Sequence, residues 1–128
     1  MVEQLTDGIK VSVETRFEST FYRDYKMRYV FSYIVTIENT TKDPVQLTSR
    51  HWEINDALNT TEIVDGDGVI GEKPIILPGK KHIYGSNCML LSPFGAMKGY
   101  YIMVNLTGTR RFRVMIPSFK LSQTSAMN

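Results

Sequence analysis

The sequence predicts an all-β chain, folded as an immunoglobulin-like antiparallel β-sandwich of seven to eight strands. Three observations predict it. Apolar residues recur with period two through nearly the whole chain. No window of helical length carries an apolar i, i+3, i+4 stripe bounded by caps. Turn-forming residues return at intervals of about 8–12 residues, the spacing of short sandwich strands.

In the first candidate strand Ile9, Val11, Val13 and Phe17 alternate with Lys10, Ser12, Glu14, Arg16 and Glu18, giving one dry and one wet face. The run 27–38 is aromatic and β-branched, with Tyr29, Phe31, Tyr33, Val35 and Ile37 on one side. Val30 and Ile34 add apolar weight to its second side, which places this strand inside a sheet. Asn39-Thr40-Thr41-Lys42-Asp43-Pro44 is a turn by composition. A strand resumes at Val45 and points Trp52 and Ile54 inward, His51 and Glu53 outward. Asn55-Asp56-Ala57-Leu58-Asn59 reads as a hairpin loop, with Asn59 suited to positive φ.

Later strands are short. Glu62-Ile63-Val64 precedes a glycine cluster, and Ile75-Ile76-Leu77 precedes a Pro78-Gly79 turn. Strands at 81–84, 87–91 and 99–106 follow. The last, 111–116, points Phe112, Val114 and Ile116 one way and Arg111, Arg113 and Met115 the other. The expected organisation is an N-terminal arm at 1–7, one sandwich domain at 8–121 and a loose tail at 122–128.

A chain of 128 residues and 14.7 kDa has room for one such domain. Size scaling gives a folded surface of roughly 7,000 Å² against about 21,000 Å² unfolded, enough burial for one core without staples. The single cysteine, Cys88, excludes a disulfide framework and a cysteine-based zinc site. No apolar run approaches the ~20 residues of a membrane helix. The first residues show no secretory signal, so a cytoplasmic setting is expected and the sequons at Asn39, Asn59 and Asn105 are chance matches. The net charge of +2 hides an asymmetry: residues 1–72 hold 13 acidic and 7 basic side chains, whereas 73–128 hold 8 basic and no acidic ones. Either acidic strands lie beside basic ones, or Arg110, Arg111 and Arg113 build a positive face for a polyanion. Nothing else argues for nucleic acid.

Gly66-Asp67-Gly68-Val69-Ile70-Gly71 is formally a G-x-G-x-x-G. A dinucleotide fold needs a helix after it, and Pro74 and Pro78 among β-branched residues forbid one. Gly66, Gly68 and Gly71 therefore make turns or bulges between edge strands, or form an anion loop from successive N–H groups. Asp65, Asp67 and Glu72 match no EF-hand spacing, and no metal or cofactor site is assigned. Cys88 sits in an apolar strand and reads as an inert core thiol, while His51 and His82 read as surface residues. Nothing asks for an enzyme. The segment 84–103 is more suggestive of binding: Phe94, Met97 and Tyr100, among Pro93, Gly95 and Gly99, describe a bent loop offering adaptable contacts to another protein, or closing the end of the core.

Taken together these segments resemble the ApaG domain family. The matching words are Asn39 with Pro44-Val45-Gln46-Leu47, Ser49-Arg50-His51-Trp52 and Asp56, then Gly66, Gly68, Val69, Gly71, Glu72 and Pro74. Leu77-Pro78-Gly79 follows, then Tyr84, Ser86, Leu90, Pro93, Gly95, Met97, Gly99, Tyr100 and Met103, closed by Ile116-Pro117, Phe119 and Leu121. The match runs from about residue 8 to 121. The resemblance implies an immunoglobulin/fibronectin type III-like sandwich, a bacterial stand-alone form, and a name associated with cobalt resistance and magnesium efflux. In eukaryotic relatives it implies protein interaction, and it marks Gly66, Gly68 and Gly71 as a phosphate-binding element. The chain departs from the family pattern at Leu58-Asn59 and at Tyr84-Gly85-Ser86-Asn87, where Asn stands for Gly. The expected function is a non-enzymatic module for an unknown protein partner; the alternative is a sensor of phosphate, pyrophosphate or a divalent cation.

Overall fold

The computed structural model describes residues 1–123 as nine strands in two antiparallel sheets. The strands are β1 (Val2–Thr6), β2 (Ile9–Arg23), β3 (Lys26–Asn39), β4 (Val45–Asp56), β5 (Glu62–Asp67), β6 (Ile75–Ile76), β7 (Lys81–Leu90), β8 (Phe94–Asn105) and β9 (Arg110–Ser122). The smaller sheet has the order β1-β2-β3-β7, the larger β5-β4-β8-β9, with β6 paired to the start of β4. Among the described residues there is no α-helix, so none is long and apolar enough to cross a membrane.

Period-two patterning builds the core as expected. Ile9, Val11 and Val13 of β2 and Phe31, Val35 and Ile37 of β3 are buried, facing Val45, Leu47 and Trp52 of β4 and Tyr101 and Met103 of β8. β3 lies inside its sheet, although Ile34 on its second side faces solvent. The accessible surface is 7514 Å², close to the size-scaling expectation.

Several boundaries differ from the sequence reading. The arm at 1–7 contributes a strand, because Val2 to Thr6 pair with Val13 to Ile9. The short strand expected at 75–77 is β6, and with β1 the count is nine against the expected seven to eight. The predicted strands at 81–84 and 87–91 are one, since Gly85 and Ser86 continue the pairing with β3. Asn59 and Asn87 do not take positive φ; among the described residues Asp7, Asp24, Tyr25, Ile70 and Thr109 are the non-glycine residues that do. Of the expected tail, Ser122 ends β9 and Gln123 donates its N–H to Pro93 O at 3.0 Å, while 124–128 lie outside the described residues.

Two side chains pin the ends of the sandwich. Asn39 is fully buried in the turn after β3, where its Nδ2 donates to Asp43 O (2.8 Å) and Ile76 O (2.9 Å). Its Oδ1 accepts from the N–H and hydroxyl of Thr41. At the opposite end Asp56 accepts from Leu91 N–H at 2.6 Å and from the Ser92 hydroxyl at 2.5 Å, tying β4 to the β7–β8 connection.

Candidate interaction site

The three glycines of the G-x-G-x-x-G have separate structural duties. Gly66 lies within β5 opposite Arg50 of β4, and the Arg50 guanidinium packs over it. From there Arg50 Nη1 donates to Asp67 O (2.9 Å) and Gly68 O (2.8 Å). Gly68 has φ 61° and donates its N–H to Thr48 O, with Glu72 O so close that a Cβ would sit 2.0 Å from it. Val69 and Glu72 exchange both backbone hydrogen bonds around Ile70 and Gly71, whose φ values of 47° and 74° make a type I′ turn. The N–H groups of Gly68, Val69 and Glu72 are thus spent inside the loop. Among the described residues no three His, Cys, Asp or Glu side chains gather as a metal-holding group.

The predicted bent loop at Phe94 to Tyr100 is instead the first half of β8, a strand inside the larger sheet. Met97 is only 1% exposed and belongs to the core, because odd-numbered β8 residues face inward together with Tyr101 and Met103. It presents no contact surface. Phe94 is 53% exposed and, with Gly95, Ala96 and Leu121, lines an open concavity of about 440 Å³ near Asp56. Tyr100 stands half-buried on the outer face of the sheet.

On that outer face the pairing registers assemble a row that sequence alone does not reveal. Asp65 of β5 pairs with His51 of β4, His51 pairs with Tyr100 of β8, and Arg113 of β9 pairs with Ile102 next along. His51 Nδ1 and Asp65 Oδ1 share a 2.6 Å hydrogen bond, and His51 Nε2 lies 3.7 Å from Glu53. The imidazole stacks on the Tyr100 ring, with centroids 4.7 Å apart and 18° between planes. The Arg113 guanidinium lies 3.9 Å over the same ring. Two groups this close cannot share one ring face, so Tyr100 is held between a histidine and an arginine. Beside the row is an open concavity of about 410 Å³ reaching Ser49, Gly66 and Asp67. The charge asymmetry meets on this sheet: Asp65, Asp67 and Glu53 lie on β4–β5 and Arg111 and Arg113 on β9, on the far side of β8, so acidic strands share a sheet with basic ones.

Between the sheets, Tyr84 of β7 and Tyr101 of β8 bond hydroxyl to hydroxyl. Burial pushes both phenols up from the ordinary value, and Tyr33 as well. Burial pushes the Cys88 thiol up to about 12, so it is protonated and non-nucleophilic at neutral pH. His51, Arg113 and Tyr100 were each visible as types in the sequence. Their stacking depends on register, and no local signal carries it.

The ApaG domain family model matches residues 19–105. The chain is 42% identical over 118 residues to Protein ApaG of Sodalis glossinidius, covering 92% of this chain and 94% of that one. It is 40% identical over 120 residues to Protein ApaG of Pseudomonas aeruginosa, covering 94% of each. A Northeast Structural Genomics Consortium target solved by X-ray crystallography superposes with a TM-score of 0.87 at 37% identity, over 91% of this chain and 88% of the target. A Bordetella pertussis protein described as ApaA superposes with a TM-score of 0.82 at 38% identity, over 89% and 92%.

Proposed function

Since the chain belongs to the ApaG domain family, we propose that it is a non-enzymatic cytoplasmic module that works by contacting another protein. The observation that carries this reading is the row Asp65, His51, Tyr100, Arg113 across the outer face of the larger sheet. Tyrosine and arginine dominate the energetics of protein interfaces. Here both are pre-ordered by stacking, so a partner meets them at little further entropy cost. The protonated Cys88 is not an activated nucleophile and lends catalysis no support. The cobalt and magnesium association that the resemblance carries would then run through the partner.

The test is a photo-crosslinking residue placed at 51, 100 or 113 in producing cells, with position 14 on the outer face of the other sheet as control. Discrete adducts at 100 and 113 but not at 14 are expected. Equal labelling at all positions, or none at any, overturns the reading. The alternative, a phosphate or divalent-cation sensor at Gly66, Gly68 and Gly71, draws less support, because the Gly68, Val69 and Glu72 N–H groups of that loop are already paired. A titration with pyrophosphate, Mg²⁺ and Co²⁺ separates the two: saturable amide shifts confined to 65–72 would move the sensor ahead.

A further inference from the structure

We propose a second interaction surface, distinct from the Tyr100 face: the open edge of β7 receives an extended acidic segment of a partner protein, which completes the smaller sheet as a fifth strand. Three observations converge on it. β7 is ten residues long, ends its sheet, and contains no proline or bulge, so among the described residues one side of its backbone is unpaired. The opposite edge differs, because β1 packs against β9.

The larger sheet extends beyond this edge without cover. No residue of β5 is buried, although Val64 and Gly66 pair with Trp52 and Arg50 on the inward face. An open cleft of about 390 Å³ lies there, lined by Val64, Trp52 and Arg50 on one sheet and Ser86 and Cys88 on the other. A strand added to β7 sets alternate side chains into this cleft while its backbone satisfies the free edge, the geometry of strand addition.

Charge selects the occupant. Arg50 has no carboxylate within 4.0 Å among the described residues, and its recorded hydrogen bonds all come from Nη1. Lys80, Lys81 and His82 add basic groups where β7 begins. Arg50 lies opposite Gly66 and Glu62 opposite Ile54, four residues further along the two strands, so the cleft has a basic end and an acidic end. An entering carboxylate therefore belongs at the Arg50 end and apolar residues toward the Glu62 end.

The probe is a blocked ten-residue peptide of alternating Thr and Val with one central Glu replacing a Val, followed by amide-resolved NMR. Saturable shifts along Lys81–Leu90 and at Val64 are expected, with the outer face of the larger sheet unmoved. A peptide with Lys in place of Glu should bind at least tenfold more weakly, and one N-methylated at alternate amides should not bind. Arg50→Gln should abolish the preference for Glu over Lys; should that variant fail to fold, the probe-side controls still decide. No saturable shift at millimolar peptide, or equal affinity of the Glu and Lys peptides, overturns the proposal. A doubled mass without peptide, suppressed by Ile83→Lys, also overturns it by giving the edge to a second copy of the chain.

Discussion

The guanidinium of Arg50 occupies the space that a side chain on Gly66 would need: a Cβ there would lie 2.8 Å from Nη2 and 2.9 Å from the central carbon. The glycine is a clearance for the arginine, and the arginine in turn holds the carbonyls of Asp67 and Gly68.

Gly66→Ala should therefore displace Arg50 and forfeit two charge-assisted hydrogen bonds, costing about 2 kcal/mol. Gly71→Ala should cost about 1 kcal/mol, since its left-handed φ is strained by a side chain but nothing lies within 4 Å. Gly68→Ala should cost more than either, because its Cβ meets the Glu72 carbonyl, which is backbone and cannot give. Urea unfolding of the three variants checks the order Gly68, Gly66, Gly71. A shared cost would instead mean that the motif acts as one flexible loop.

Asn39 was legible in the sequence as part of a turn, a chance sequon and a residue matching the family pattern, none of which assigns partners to its side chain. Its buried amide donates to two carbonyls and accepts two hydrogen bonds, so all its polar capacity on that end of the fold is used. Asn39→Asp turns the donor into an anion facing Asp43 O and Ile76 O. At neutral pH it should be less stable than Asn39→Ala, by about 2 kcal/mol or more. The gap should narrow as pH falls toward about 4, where the new carboxyl regains a proton and can donate. Thermal unfolding of both variants across pH 4–8 tests this, and a pH-independent gap would count against the assigned amide orientation.

Asp56 performs the corresponding task at the other end. Asp56→Ala leaves the Leu91 N–H without its acceptor and restricts the buried Ser92 hydroxyl to Phe94 O. A loss of about 3 kcal/mol is expected in chemical denaturation. Asp56→Asn should recover part of it, because an amide oxygen still accepts from one of the two donors.

Strand identity was readable wherever one period ran unbroken, as in 9–17 and 27–38. Where the period slips, in β4 and β9, one alternation does not run through the whole strand, although Trp52 of β4 faces inward as its own stretch of sequence predicts. In β4 the buried residues are Val45 and Leu47, then Trp52, and the change of parity occurs at the bulge between Leu47 and Ser49. That slip turns Arg50 inward, over Gly66, which a simple alternation through the strand could not locate. A similar slip where Pro117 interrupts β9 moves the buried set from Val114 and Ile116 to Phe119 and Leu121. The Phe94 to Tyr100 segment was read as a loop because Gly95 and Gly99 suggested bending. The backbone contacts give the other reason for glycine: a Cβ at Gly99 would sit 2.0 Å from His51 O, so these glycines allow β8 to lie close against β4. The His51–Tyr100–Arg113 stack is a product of cross-strand register, which is settled by long-range pairing and leaves no local trace.

Cys88 supplies a prediction for alkaline solution. Burial raises its folded value to about 12 from an ordinary 9.0, so between those limits the native state retains a proton that the unfolded chain releases. The stabilisation is fully present below pH 9 and is lost as pH rises through that window, at up to about 1.4 kcal/mol per pH unit. Tyr84 and Tyr101, also raised by burial, add to the loss above pH 10. Cys88→Ala should therefore lower stability slightly at pH 7 yet show a shallower decline above pH 9, so that the two curves converge. Unfolding free energies at half-unit steps from pH 7 to 10.5 provide the measurement. Parallel curves would mean that the thiol ionises in the folded state, and that the cleft between β5 and β7 is wetter than its lining of Trp52, Val64 and Met97 implies.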